Sequence, residues 1–137
     1  GLTVLDVGWD ARAVLASDGW LATALTGAEM VVVTATATVA GLSRLETALA
    51  ELDRPDASRV VLLGPSRRRW PKGLAATFGP LTRAADRHGW VFSVPSVASL
   101  RVDGVDSRPL PVALLTAAEV VLASIRQAAT ADDREED

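Results

Sequence analysis

A chain of 137 residues, 49% of them apolar, suffices for one folded domain and lies far from disordered or fibrous compositions. Cysteine is absent and histidine occurs once, which excludes disulfides, thiolate zinc sites, cysteine nucleophiles and a His-cluster metal centre. The formal charge of −3 comes from the tail "DDREED" (132–137), whose five acids and one Arg sum to −4; residues 1–131 sum to +1.

That near-neutral body argues against a broad nucleic-acid-binding face. No apolar run approaches the ~18–20 residues of a membrane span, and no signal peptide is evident. The expectation is therefore a cytoplasmic protein with no membrane span. A single domain is expected over 1–128, with 129–137 a solvated, disordered acidic tail. Thirteen Arg against one Lys, with abundant Ala, fits a G+C-rich bacterial genome.

Four short apolar runs, rich in Val and Leu and not alternating, read as strands covered on both faces. They are "LTVLDV" (2–7), "EMVVVTA" (29–35), "RVVLLG" (59–64) and "WVFSVP" (90–95). Helical stretches separate them. Residues 11–26 form the first, with an interruption at "SDG" (17–19). Val39, Leu42, Leu45, Leu49 and Leu52 share one helical face in the second. The third runs over 73–88 and ends at Gly89, and Pro109 and Pro111 precede the last, whose face is Leu114, Ala118, Val121, Leu122 and Ile125. The order β-α-β-α-β-α-β-α predicts an α/β fold with a parallel sheet of about four strands and helices on both faces.

Ligands in such sheets sit beyond the carboxyl ends of the strands. Those ends are "DVGWD" (6–10), "TATAT" (34–38), "GPSRRRWPK" (64–72) and "PSVAS" (95–99). Asp6 closes a hydrophobic strand, where a carboxylate either holds a Mg²⁺-bound water beside a phosphate or caps the next helix. "RRRWPK" (67–72) surrounds an indole with four cations, fitting a phosphate-gripping loop or a solvated loop with Trp70 tucked against the sheet. His88 falls at a helix C-terminus, a structural placement that complements the helix dipole. Neither G-x-x-x-x-G-K-[ST] nor G-x-G-x-x-G occurs, no nucleophile motif stands out, and no catalytic residue is assigned.

Taken in order, these pieces resemble the second half of the MinD/ParA-like P-loop ATPases. "VLDVGWD" is similar to their Walker B strand and second switch, and "LTGAEMVVVTATATVAGLSRLETALAEL" to the following strand, hydroxyl-bearing turn and leucine-faced helix. "RVVLLG" matches the next strand, "WVFSVPSVASL" the stretch near adenine, and "VDSRPLPVALLTAAEVVLASI" the closing helix. The resemblance spans 2–126 and implies a partial P-loop-NTPase-like fold. It implies Asp6 at Mg²⁺, and Gly64, Pro65, Arg67, Pro95 and Ser96 beside ATP.

Where many members place an Asn against adenine, this chain has Gly64-Pro65. The Walker A loop and first switch precede Walker B in that family and are not in these residues. ATPase activity is then expected only with an upstream Walker A half; this chain alone is expected to be inactive and not to bind ATP tightly. The family's roles include plasmid partition, conjugation, secretion and positioning, through a homodimer or a protein partner. Two other expectations stand beside this one: a non-catalytic interaction module, and an arginine-loop nucleic-acid binder. Without a phosphate-loop strand, "LTVLDV" is expected to pair directly with residues 29–35, the alternatives being pairing with a second copy or a frayed edge.

Overall fold

β-Branched residues dominate "VVVTAT", and this run forms the first strand of a parallel sheet. The computed structural model describes the backbone of residues 3–8 and 10–135, with side chains through Thr130. Strands β1 (Val31–Thr36), β2 (Ser58–Gly64) and β3 (Val91–Pro95) lie in the order β1-β2-β3. Val33 is level with Val60, and Val60 with Val91. The helices are α1 (Ala11–Leu15), α2 (Trp20–Gly27), α3 (Val39–Leu52), α4 (Pro80–Arg87), α5 (Ala98–Asp103) and α6 (Val112–Glu135). The parallel α/β architecture is thus present, with three strands where about four were expected.

The leucine stripe of α3 builds the core. Leu42, Leu45 and Leu49 pack with Val60 and Leu62 of β2 and with Leu74 and Phe78 from the β2–β3 connection. Both crossovers therefore use one face, as two connections of one hand must when strands are laid down in this order. The helix expected over 73–88 divides at Gly79-Pro80 into a 3₁₀ turn (Ala75–Thr77) and α4. Gly79 offers no capping side chain, so Glu46 of α3 supplies one. Its carboxylate accepts from the N–H of Leu81 (2.8 Å), the N–H of Thr82 (3.0 Å) and the hydroxyl of Thr82 (2.8 Å). A Cβ at position 79 would lie 2.2 Å from the Glu46 Cδ, so only glycine leaves room for this cap.

Helix α6 lies on the other face, against β3. Arg59 precedes Val60 and so points to that side. Its Nε donates to Ser124 Oγ of α6 at 3.0 Å, and its guanidinium lies 4.4 Å from the Trp90 ring centre. His88 stacks on the same ring at 4.5 Å, the structural role expected of it. Desolvation holds the Arg59 pKa below its ordinary value, with Asp56 opposing that shift.

One expectation about α6 is corrected. Residues 129–135 continue its backbone helix, although they were expected in the disordered tail. Val112–Thr130 has a length and mean hydropathy (1.5) that a membrane span would also show, although Thr116, Glu119, Ser124 and Arg126 interrupt its apolar residues. The helix gains that hydropathy from alanines dispersed among Val and Leu, which no single apolar run reveals. The window is not buried, and it carries Glu119 and Arg126.

The break in the first helical stretch falls at 17–19 as expected, between α1 and α2. Asp10 caps α1 by accepting from the N–H of Arg12 (3.0 Å) and Ala13 (3.2 Å), and α1 buries Val14 beside α3. Arg54 donates to the carbonyls of Leu25 (3.4 Å) and Thr26 (2.9 Å), pinning the end of α2 below the sheet's first strand.

The strand expected at 2–7 does not form in its described part. Residues 3–8 have no regular structure, and Val4 and Leu5 are 79% and 53% exposed. Direct pairing with residues 29–35 is therefore not observed: the sheet partner of β1 is β2, and β1 is an edge strand. Strand composition creates a demand for a backbone partner without supplying one. Here the Asp10 cap and the burial of Val14 carry the chain onto the flank of α3 instead.

Candidate functional site

The carboxyl ends of the strands gather several of the residues singled out above. Gly64 and Pro95 are register partners, so "GPS" and "PSV" leave the sheet side by side. Gly64 and Pro95 are half-buried, whereas Pro65 and Ser96 are exposed. At the end of β1, Thr38 caps α3 by accepting from the N–H of Gly41 at 3.0 Å, and its hydroxyl lies 3.1 Å from that of Thr36. A Cβ on Gly41 would meet the Thr36 carbonyl at 2.1 Å, so glycine sets how closely helix and strand approach here.

Arg67 does not face this opening as an uncommitted cation. It forms an ion pair with Asp86 of α4, and its guanidinium lies 5.3 Å and 5.6 Å from the Trp70 and Phe78 ring centres. Trp70 packs edge-on to Phe78, and its indole N–H donates to the Pro65 carbonyl at 2.9 Å. The indole is thus packed against the core cluster, as in the solvated-loop alternative with Trp70 tucked inward. Arg68, Arg69 and Lys72 remain exposed on the short 3₁₀ turn and the residues after it.

Asp6 is exposed. The capping alternative weighed for it falls to Asp10, four residues on, where α1 begins. Among the described residues no group of three or more His, Asp or Glu forms a metal-binding cluster.

A second feature lies away from these loops, and periodicity gave no sign of it. The N–H of Val31 donates to the Ala57 carbonyl (2.8 Å) and that of Ala37 to Leu63 (2.9 Å). Backbone groups alternate sides along a strand, so Val33 and Ala35 also face β2. Val32, Thr34 and Thr36 turn their N–H groups to the open edge. The Thr36 carbonyl there is satisfied by the Thr38 N–H at 2.8 Å. A groove of about 360 Å³ runs along this edge, roofed by Leu45 and Ala48 of α3 and bordered by Ala11, Leu25 and Val7. It is a slot beside the outer edge of β1, with Leu45, Ala48 and Leu52 on the helix side and the charged Arg44 and Asp10 also in its lining.

No family model, curated protein or solved structure matches the chain.

Proposed function

We propose that this α/β domain works by docking: it is an interaction module that receives an extended segment along the free edge of β1. One observation carries the reading. Among the described residues, the N–H and C=O groups of Val32 and Thr34 line a largely apolar slot without a strand partner, and such an edge is a template for another strand. Main-chain hydrogen bonds would supply affinity, and the walls of the slot would select alternate side chains.

Residue-resolved amide exchange of the purified chain at low concentration tests this. Val32 and Thr34 are expected to exchange far faster than Val33 and Ala35, which sit in the ladder with β2. Equal protection of all four would mean that the edge is already closed within the chain, and would overturn the docking reading.

A second reading, a portion of a MinD/ParA-like nucleotide switch, is favoured by the order of its parts. The parallel strands send the hydroxyl-bearing turn after β1 and the Gly64-Pro65 and Pro95-Ser96 pairs to one end of the sheet. In this reading ATP and Mg²⁺ supply the switching chemistry. Gly64, Pro65, Pro95 and Ser96 would border the base, and exposed Asp6 would hold a metal-bound water. Arg67 fits this role poorly, because Asp86 already engages its guanidinium. Titration with Mg·ATP tests it: the 137-residue chain is expected to show no tight binding. A longer chain in which a Walker A half precedes these residues is expected to bind with an affinity that Asp6→Asn lowers. Indifference of that longer chain to Mg·ATP and to Asp6→Asn would remove the nucleotide reading.

A further inference from the structure

Two features of this molecule need the same kind of contact, and the fold leaves them apart. One is the open edge of β1. The other is Thr3–Val7, largely apolar and strand-like in composition, exposed over Thr3–Asp6 and half-buried only at Val7, and outside the sheet. We infer that the occupant of the slot is this segment from a second copy: two chains exchange Thr3–Val7 reciprocally, each adding a strand to the other's β1.

The inference rests on the docking reading and names its partner. The side-chain pattern supports it. On β1, Val31, Val33 and Ala35 point to α3, while Val32 and Thr34 point to the open face beside Leu63. Alternation in the donated segment would send Leu5 and Val7 toward the apolar roof of α3 and α1. Val4 and Asp6 would then join Val32, Thr34 and solvent, where a carboxylate is tolerated. The reverse register would bury Asp6 under Leu45, so the pattern selects one face.

Geometry favours exchange over closure within one chain. Asp10 fixes the start of α1 on the flank of α3, and Val7 lies at the border of the slot, yet Val4 and Leu5 stay exposed and do not continue along their own β1. Reciprocal exchange is isologous and closes after two copies. Three strands of one chain and the segment donated by the other then form a sheet of four in each half of the pair, and the apolar edge is paired.

Light scattering across the micromolar range, combined with cysteine pairing, tests the proposal. The chain has no cysteine, so introduced thiols report cleanly. The expected mass doubles with rising concentration. Val4→Pro, at a position with no strand partner in the single chain, should keep the helical circular dichroism and the melting temperature at low concentration while abolishing the doubling. An equimolar mixture of Val4→Cys and Thr34→Cys chains should yield a disulfide between chains under mild oxidation. The double variant run alone should likewise link two chains. A single-chain mass at every concentration, or a disulfide closed within one chain of the double variant, overturns the inference. In a persistently single chain, freely exchanging Val32 and Thr34 amides leave the docking reading standing without this partner. Protected amides there overturn both.

Discussion

The two flanks of the sheet are built to different degrees. On the β2 side, α3 and α4 close over Val60 and Leu62, every buried side-chain polar atom among the described residues has a partner, and Glu46 caps the neighbouring helix across 36 positions of sequence. On the β1 side, a strand of equal β propensity ends the sheet with its edge open, and the segment that most resembles a further strand lies exposed. Composition is similar on both sides. The difference lies in whether each element finds a partner in its own chain, so a strong local preference is no measure of local completion.

The largest expected contrast comes from equivalent truncations on the two sides. Leu62→Ala, at 0% exposure on β2, should destabilise the fold by about 2–5 kcal/mol in a urea titration, whereas Leu5→Ala at low concentration should change it by less than ~0.5 kcal/mol. Comparable losses would mean that residues 3–7 are packed in solution, and the contrast would fail.

A smaller effect should follow from removing the α4 cap. Glu46→Ala leaves buried Thr82 and two helix N–H groups without their acceptor, a cost of about 1–3 kcal/mol in the same titration. Gly79→Ala should also destabilise, because the methyl group would displace that carboxylate. If Glu46→Ala is silent, the packed flank does not depend on its polar closure.

Arg59 sharpens the comparison across the second face. Arg59→Ala should cost roughly 1–2 kcal/mol, and should loosen α6 more than α3 in amide exchange, because it removes the contacts to Ser124 and Trp90. Its pKa is lowered in the fold, chiefly by desolvation, so burying its charge is a cost that is fully present below the folded pKa. Stability from this group therefore rises only in strongly alkaline solution. Between about pH 5 and 9 the difference between wild type and Arg59→Ala should stay flat. A marked slope there would assign the effect to another group.

The smallest effect belongs to the arginine turn. Replacing Arg67, Arg68 and Arg69 by Ala should cost no more than about 1 kcal/mol, nearly all of it from the partly exposed Arg67–Asp86 pair. A loss of several kcal/mol would place the turn in the packed flank.

Several features were legible from residues alone because their causes are local. The leucine stripe of α3, the break at 17–19, the placement of His88 and the parallel order of three strands follow from periodicity, turn residues and crossover rules. Trp70 was legible as a packed indole. The division of 73–88 was readable in principle at Gly79-Pro80, where a helix restarts naturally. The commitment of Arg67 was not, because Asp86 lies 19 residues away and any exposed carboxylate would have served.

The sequence by itself determined which stretches want to be helix or strand, and that the chain builds a parallel α/β sheet. Apolar periodicity and β-branching act within a few residues, so their consequences can be read without coordinates. Only the tertiary structure decided that residues 3–7 stay outside the sheet, that Asp10 rather than Asp6 caps a helix, and that β1 keeps an open edge. Strand pairing is a contact between distant segments. Its outcome depends on where α1 comes to rest against α3, a matter of packing that no single stretch of the chain encodes.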